Sequence, residues 1–237
     1  MEIQTKLNWK SFEPKLGTWA SKIKPFFDSG GFDKIYEFLK LKKTERTEIA
    51  PSSFCLFRAF KMTNLNELKC VIIGENPYNS FVDGSPIDTG VLFGASTKIQ
   101  PNLKEFYNGI ENELYNGLNL DILYDYELDY LTSQGVLMIP SSLTIEKDAE
   151  KGHNKIWKSF IEYLLKEIIA YTGVPILFLG RSKQYMPLME QSNYCYSLEL
   201  PSFGNIWDTK GIFKEINSWI WASNEETIMW LNVDVPF

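Results

Sequence analysis

The sequence predicts an α/β fold built on a parallel sheet, and three observations carry that prediction. Four short apolar runs stand out: KCVIIG (69–74), GVLMIP (135–140), VPILFLG (174–180) and YCYSLEL (194–200). The first three are nearly continuous in Val, Ile, Leu and Phe and end in Gly or Pro, the pattern of strands buried on both faces. Helix-like segments lie between them, over 102–118, 155–172 and 183–192. Strand, helix, strand in alternation implies parallel strands with helical crossovers. Finally, 237 residues with 44% hydrophobic content suit one sizeable core better than two. Residues 1–237 show no internal repeat, low-complexity tract or Pro/Gly/Ser linker, so they are expected to form a single domain.

Each element has a local reason. In 155–172, Ile156, Phe160, Tyr163 and Leu164 recur at three- and four-residue spacing, giving one apolar face with Glu167 on its border. The tail carries Trp219, Trp221 and Trp230, which are expected to pack on the body. Cys55, Cys70 and Cys195 lack the paired spacing of a zinc site or a disulfide framework and read as buried thiols. With His153 as the only histidine, neither a His-rich metal centre nor a Ser-His-Asp triad is expected, and no metal or cofactor is predicted.

The first residues have no signal-peptide core, and no stretch approaches 18 uninterrupted apolar residues. A soluble, intracellular chain is expected: cytoplasmic or nucleoid-associated, nuclear in a eukaryote, not secreted, with no membrane partner. A net charge of −6 argues against coating nucleic acid through bulk charge, and leaves room for a local basic strip.

In a parallel sheet, ligands bind where loops leave the carboxyl ends of the strands. The loop GENPYN (74–79) has little freedom beyond Gly74, because Pro77 fixes its own φ and restricts Asn76 before it. A rigid turn presenting Asn76 and Tyr78 is predicted. Further on, GVLFG (90–94) sets Phe93 between glycines, either as an aromatic face for a planar ligand or as plain core.

In order and spacing, GENPYN, GVLFGAS, QPNLKEFYNGIENEL, QGVLMIPSSLT, PILFLGRSKQ and LPSFGN resemble the motifs of the uracil-DNA glycosylases. Those run G-Q-D-P-Y-H, G-L-A-F-S, P-P-S-L, Q-G-V-L-L-L-N-T-x-L-T, a hydrophobic strand ending W-G, and H-P-S-P-L. The resemblance spans nearly the whole chain and implies a single uracil-DNA glycosylase-like domain with a four-stranded parallel sheet flanked by helices. It implies a base pocket at Glu75, Asn76, Tyr78, Asn79, Phe93, Pro140 and Leu200. It also implies DNA contacts at Pro101, Asn102, Pro201, Ser202, Phe203 and Gly204, with Phe203 near the position of the family's leucine wedge.

The match fails where the family's chemistry sits. The Asp that positions the attacking water and stabilises the cationic sugar corresponds to Asn76, which orients water without supplying charge. The His that donates to the uracil carbonyl corresponds to Leu200, and the Asn that reads the uracil edge corresponds to Pro140, which has no donor at all. The His closing the first loop is replaced by Asn79. Losing one preorganised polar group of this kind slows catalysis by about 10²–10³-fold, and such losses do not simply add. Lys98, Lys104, Lys147, Lys151, Lys155, Arg181 and Lys183 lie in or beside these loops as phosphate partners, against Glu146, Asp148 and Glu150 interleaved with them.

Three functions fit. One is a DNA-binding protein, on single or double strands, with lost or strongly reduced uracil excision. Another is an active glycosylase of altered base specificity that uses Asn76 to hold water, as in the G-x-N-P motif of the mismatch-specific branch. The third is a protein-interaction module or subunit of a replication or repair complex without catalysis.

Overall fold

The computed structural model describes residues 7–233, apart from 117, 119, 190, 203, 206 and 224. Its central sheet has four strands, β1 (Cys70–Gly74), β2 (Val136–Pro140), β3 (Ile176–Leu179) and β4 (Cys195–Leu198). They lie in the order β2-β1-β3-β4, and every neighbouring pair is parallel. All residues of β1, β2 and β3 are buried, whereas the edge strand β4 is mostly half-buried. That difference is already present in the composition: the first three runs are uninterrupted hydrocarbon, and the fourth mixes Tyr, Ser and Glu with its apolar residues.

Helices cover both faces: α1 (Ala20–Asp28), α2 (Asp33–Thr44), α3 (Pro101–Tyr115), α4 (Asn154–Tyr163) and α5 (Ile212–Ala222). Pro101 starts α3, where its missing N–H costs nothing, and Asn116 ends it in the left-handed region at φ 52°. The face of α3 toward the core carries Leu103, Phe106, Tyr107 and Ile110.

Two helical expectations need correction. The segment 155–172 begins as α4 but passes into a π-helical turn, Leu164–Ile168, and a 3-10 turn, Ile169–Tyr171. Its buried stripe is Trp157, Phe160, Ile161, Leu164, Leu165, Ile168 and Ile169, with Ile156 and Tyr163 at the margin. That stripe advances four residues per turn, more than the 3.6 of an α-helix, and the wider turn lets it keep facing the core. The segment 183–192 does not form an α-helix; a 3-10 helix runs over Gly180–Leu188, with Pro187 inside it and unable to donate an N–H.

One hydrophobic cluster runs from Leu16 to Leu231. Trp230 is buried edge-on to Phe213, at 4.7 Å between ring centroids, and Trp219 is half-buried. Trp221 departs from expectation: at 74% exposure it stands in solvent. Of the thiols, Cys70 alone is fully buried and its pKa is pushed up by that burial, while Cys55 and Cys195 are half-buried. Among the described residues, no helix is long and apolar enough to cross a membrane.

Candidate functional site: a small cavity at the switch point of the sheet

With the order β2-β1-β3-β4, the chain leaves β1 toward one side of the sheet and β3 toward the other. A crevice therefore opens beyond the carboxyl ends of β1 and β3, the usual ligand position in an open parallel sheet. The loops after β1 and β3 are bonded to each other across it. Glu75 accepts from the backbone N–H of Arg181 (2.8 Å) through Oε1 and from Arg181 Nε (2.6 Å) through Oε2. Gly180 makes the approach possible: its φ is +60°, and a Cβ there would stand 2.3 Å from Glu75 Oε1 and 3.0 Å from the Leu200 side chain.

The loop after β2 is laid onto the loop after β1. Ser141 N–H donates to the Gly74 carbonyl (2.9 Å), and Ser142 N–H (3.1 Å) and Ser141 Oγ (3.2 Å) both donate to the Glu75 carbonyl. The same loop then returns to grip Asn76. The N–H of Gly152 donates to Asn76 Oδ1 at 3.1 Å, with Asn154 Nδ2 at 3.5 Å. A backbone N–H can only donate, so the atom facing Gly152 is the amide oxygen and the amide NH₂ is the other end. Gly152 is required: a Cβ there would sit 2.6 Å from Asn76 Oδ1 and 2.5 Å from Ser142 Oγ.

The wall opposite is set by Asp88, a buried carboxylate that accepts from Tyr78 N–H (2.7 Å) and Gly90 N–H (2.8 Å). It fixes the GENPYN turn to the glycine-flanked turn that carries Phe93. Burial pushes the Asp88 carboxyl up to about 7, against the opposing pull of its two backbone donors. Tyr78 is likewise raised, first by burial and then by the charge of Asp88. Its hydroxyl is buried and has no hydrogen-bond partner among the described residues. Phe93 takes φ 66°, a conformation costly for a bulky residue, and packs on Phe106 at 5.6 Å.

These loops enclose a cavity of about 180 Å³ lined by Glu75, Asn76, Pro77, Tyr78, Leu92, Phe93, Asn102 and Leu200. Phe93 is thus both core and cavity wall. Two residues expected in the pocket lie outside this lining. Asn79 turns away because its amide donates to the Ala149 carbonyl (2.8 Å), and Pro140 is consumed as the last residue of β2, paired in register with Gly74. His153 is also elsewhere: its Nδ1 meets Thr144 Oγ1 (2.9 Å), its Nε2 lies 3.4 Å from Glu146, and burial holds its pKa below the ordinary value.

Around the mouth, Pro101 and Ser202 are exposed, Pro201 is buried, and Gly204 is exposed at φ +81°. Ser202 Oγ accepts from Asn205 Nδ2 at 3.2 Å. Phe203 lies outside the described residues. Of the cations expected to meet phosphate, Lys98, Lys104, Lys151 and Lys155 are exposed, while three are engaged by carboxylates: Lys147 with Glu48 (2.7 Å), Lys183 with Glu199 (3.2 Å), and Arg181 with Glu75. Neither Asp88 nor the Gly152/Asn154 clamp is among the residues the sequence singled out. Asp88 leaves one signal, a lone acid after Pro86 and Ile87 in SPIDTG; the clamp leaves none.

A parallel β2-β1-β3-β4 sheet, with a nucleobase-sized cavity formed by the segments that follow β1 and β4, defines the chain as an α/β protein of the uracil-DNA glycosylase fold. A crystal structure of mimivirus uracil-DNA glycosylase superposes with a TM-score of 0.79 at 20% identity, covering 95% of this chain and 90% of that one. The corresponding protein from Nitratifractor salsuginis gives 0.61 at 16% identity, over 89% and 93%. In sequence, a uracil-DNA glycosylase of Lactobacillus delbrueckii subsp. bulgaricus is 29% identical over 175 residues, 73% of this chain and 74% of the relative. That of Mesomycoplasma hyopneumoniae is 28% identical over 207 residues, 84% and 90% of the two chains. No family model matches. In sequence and in fold the chain is similar to uracil-DNA glycosylases.

Proposed function

We propose that this protein binds DNA and takes an extrahelical base into the 180 Å³ cavity, with uracil excision lost or strongly reduced. The observation that carries this reading is the contrast between the cavity's shape and its chemistry. Its walls are fixed by Asp88, Gly152 and Phe93 and leave room for a planar base. Leu200 contributes no donor, and Asn76 brings no charge to a developing sugar cation. A base flipped out of the stack is read by contacts to its Watson–Crick edge and by aromatic stacking. Here Phe93 supplies the aromatic face, and Asn76, Asn102 and the Glu75 carboxylate are polar groups of the lining. The exposed lysines 98, 104, 151 and 155 would meet phosphate, giving affinity that falls with salt. The names of the relatives support DNA as the partner.

A second reading is favoured by the Asn76 clamp. Because Gly152 holds the amide oxygen, the NH₂ group is held rigidly and is able to fix one water by its lone pair. Such a site would hydrolyse a base that leaves more readily than uracil, or whose edge suits an apolar wall, making the protein a glycosylase of altered specificity.

The test is single-turnover excision at enzyme excess on strands containing uracil or a panel of mispaired and modified bases, beside binding of the same DNAs at two salt concentrations. Salt-sensitive binding, tighter to a mispaired duplex, is expected, with uracil excision at least about 10²-fold below a family enzyme. Asn76→Asp, whose carboxylate still accepts from Gly152, is expected to raise the uracil rate. Uracil excision matching the family enzyme, or no salt-sensitive DNA binding, would overturn the proposal; excision of another base alone would select the second reading.

A further inference from the structure

A second, larger cavity lies away from this site. It has a volume of about 840 Å³ and sits among α2, the segment before α1 and the segment 46–57. That is within the roughly 300–1,000 Å³ of small-molecule sites and well above the volume of the cavity at the switch point. Its deep wall is apolar and aromatic, including Phe12, Phe32, Leu39, Leu56, Phe57 and Trp157. The aromatic rings hold one another in place: Phe12 lies 4.8 Å from Phe32 and 5.0 Å, edge-on, from Phe57. At the bottom, the indole N–H of the fully buried Trp157 donates to Thr144 Oγ1 at 2.7 Å, so the innermost donor is already satisfied. The deep end offers apolar contact rather than an unmet hydrogen bond.

The rim is different. Lys15, Lys40, Lys43 and Arg46 all line the cavity, and no lining residue is acidic. Among the described residues, none of these four makes an ion pair, whereas two neighbouring cations do: Lys42 with Glu45 and Glu146, Lys147 with Glu48. The cations at the end of α2 complement its dipole, but Lys15 comes from a separate segment and reaches the same rim, held by the Ser53 carbonyl at 3.3 Å. Arg46 is placed there at a conformational cost, with φ 59° at a position where Gly or Asn is usual. On a chain of net charge −6, four unpaired cations around an apolar cavity form a local reversal of sign.

We propose that this cavity is a binding site for a small amphipathic anion, an apolar body seated against Phe32, Phe57 and Trp157 with a carboxylate, sulfonate or phosphate head at Lys15, Lys40, Lys43 and Arg46. Apolar burial supplies affinity without direction, and the one-signed rim selects the charge of the head and fixes which end points out. A neutral molecule of the same body gains only the first contribution, and a cation is repelled.

The test uses the intact protein with an anilinonaphthalene sulfonate probe, displaced by dodecanoate, dodecanol or dodecylammonium below their aggregation concentrations. Saturable probe binding is expected, with dodecanoate displacing it at least tenfold more tightly than dodecanol, and with added salt weakening dodecanoate alone. The combined Lys40→Glu, Lys43→Glu and Arg46→Glu variant changes exposed residues only; it should cut dodecanoate affinity at least tenfold and leave dodecanol within twofold. Because the salt and alcohol comparisons are made on the unsubstituted chain, a misfolded variant would not remove the test. Absence of saturable binding, or equal affinity for alcohol and carboxylate, overturns the proposal. Displacement by an acidic amphipathic peptide but not by dodecanoate overturns it in favour of a protein-docking site.

Discussion

The cavity at the switch point and the cavity under α2 are built on opposite plans. At the switch point of the sheet, polar groups are clamped one by one: Asp88 by two backbone N–H groups, Asn76 by Gly152, Glu75 by Arg181. Under α2, the deep wall is hydrocarbon and the polar groups are long, unpaired side chains at the rim. The first plan fixes individual atoms to a fraction of an ångström and suits recognition of one planar edge. The second fixes only an apolar volume and the sign of charge at its mouth. One segment serves both: in the loop after β2, Ser142 and Gly152 pack at Asn76, and Thr144 lines the larger cavity. A clamp should therefore fail at a single added atom, whereas the apolar wall should yield gradually.

The sharpest way to break that contrast is Gly152→Ala. The added methyl stands 2.6 Å from Asn76 Oδ1 and 2.5 Å from Ser142 Oγ, so either the loop moves or Asn76 leaves its place. Loss of the clamping hydrogen bond with a displaced amide is expected to cost about 1–3 kcal/mol in binding a mispaired-base duplex, a factor of about 5–150. Amphiphile binding under α2 should stay within about twofold. Equal loss at both cavities would mean that the loop after β2 moves as one piece and that the two sites are not separable.

Asp88→Asn comes next, and its signature is a pH dependence. Burial pushes the Asp88 carboxyl from an ordinary 3.8 up to about 7, so between those values the folded state binds more protons than the unfolded state. Stability from this group is accordingly greatest at low pH and declines as pH rises through that window, levelling off above about 7. Denaturant melts at pH 5 and pH 7.5 should show this decline in the unsubstituted protein, after allowance for other groups, and a flatter profile in Asp88→Asn. His153 acts in the opposite sense: its lowered pKa makes folding lose stability as pH falls below about 6.5. A His153→Gln control separates the two. The asparagine also turns an NH₂ toward one of the two N–H donors, a mismatch expected to cost about 1–3 kcal/mol at low pH.

Much of the fold was legible because each strand advertises itself locally. The runs at 70–74, 136–140 and 176–179 are continuous apolar residues, and burial on both faces follows from that alone. The segment 183–192 misled because its apolar residues suggest a helix while Pro187 and the glycine-led turn at Gly180 enforce a tighter one. The site was legible where one motif contributes neighbouring residues, as with Glu75, Asn76 and Tyr78, or Phe93. It was not legible where partners lie far apart: Gly152 meets Asn76 across 76 positions and Arg181 meets Glu75 across 106. The cavity under α2 is harder still, since its wall draws on segments from Phe12 to Trp157 and none of them is unusual alone. Asn79 illustrates the converse: a motif position suggests a role, but a single hydrogen bond to Ala149 decides where its side chain points.

Thr144→Val probes the wall between the cavities. Thr144 Oγ1 accepts from the buried Trp157 indole and faces His153 Nδ1, so valine fills the space and leaves a buried donor unsatisfied. Destabilisation of about 1–3 kcal/mol is expected, read as a lower denaturation midpoint with unchanged slope. Amphiphile affinity should change little, because the apolar lining is preserved.

Glu75→Gln should have the smallest effect on stability and is the most informative about charge. Glutamine keeps a carbonyl for the Arg181 N–H and loses the ion pair with a guanidinium that is 62% exposed. Glu75 itself is 14% exposed, but a pair whose cation stands in solvent is screened and contributes about 1 kcal/mol, so the denaturation midpoint should move little. The carboxylate nonetheless lines the small cavity, where its neighbour Leu200 supplies no competing polar group. A base presenting N–H donors toward Glu75 should lose a few-fold in affinity on Glu75→Gln, and a base presenting only carbonyls should gain. A uniform change for every base would mean that Glu75 acts through Arg181 on the DNA backbone; in that case the salt dependence of binding, and not base preference, would differ between the two proteins.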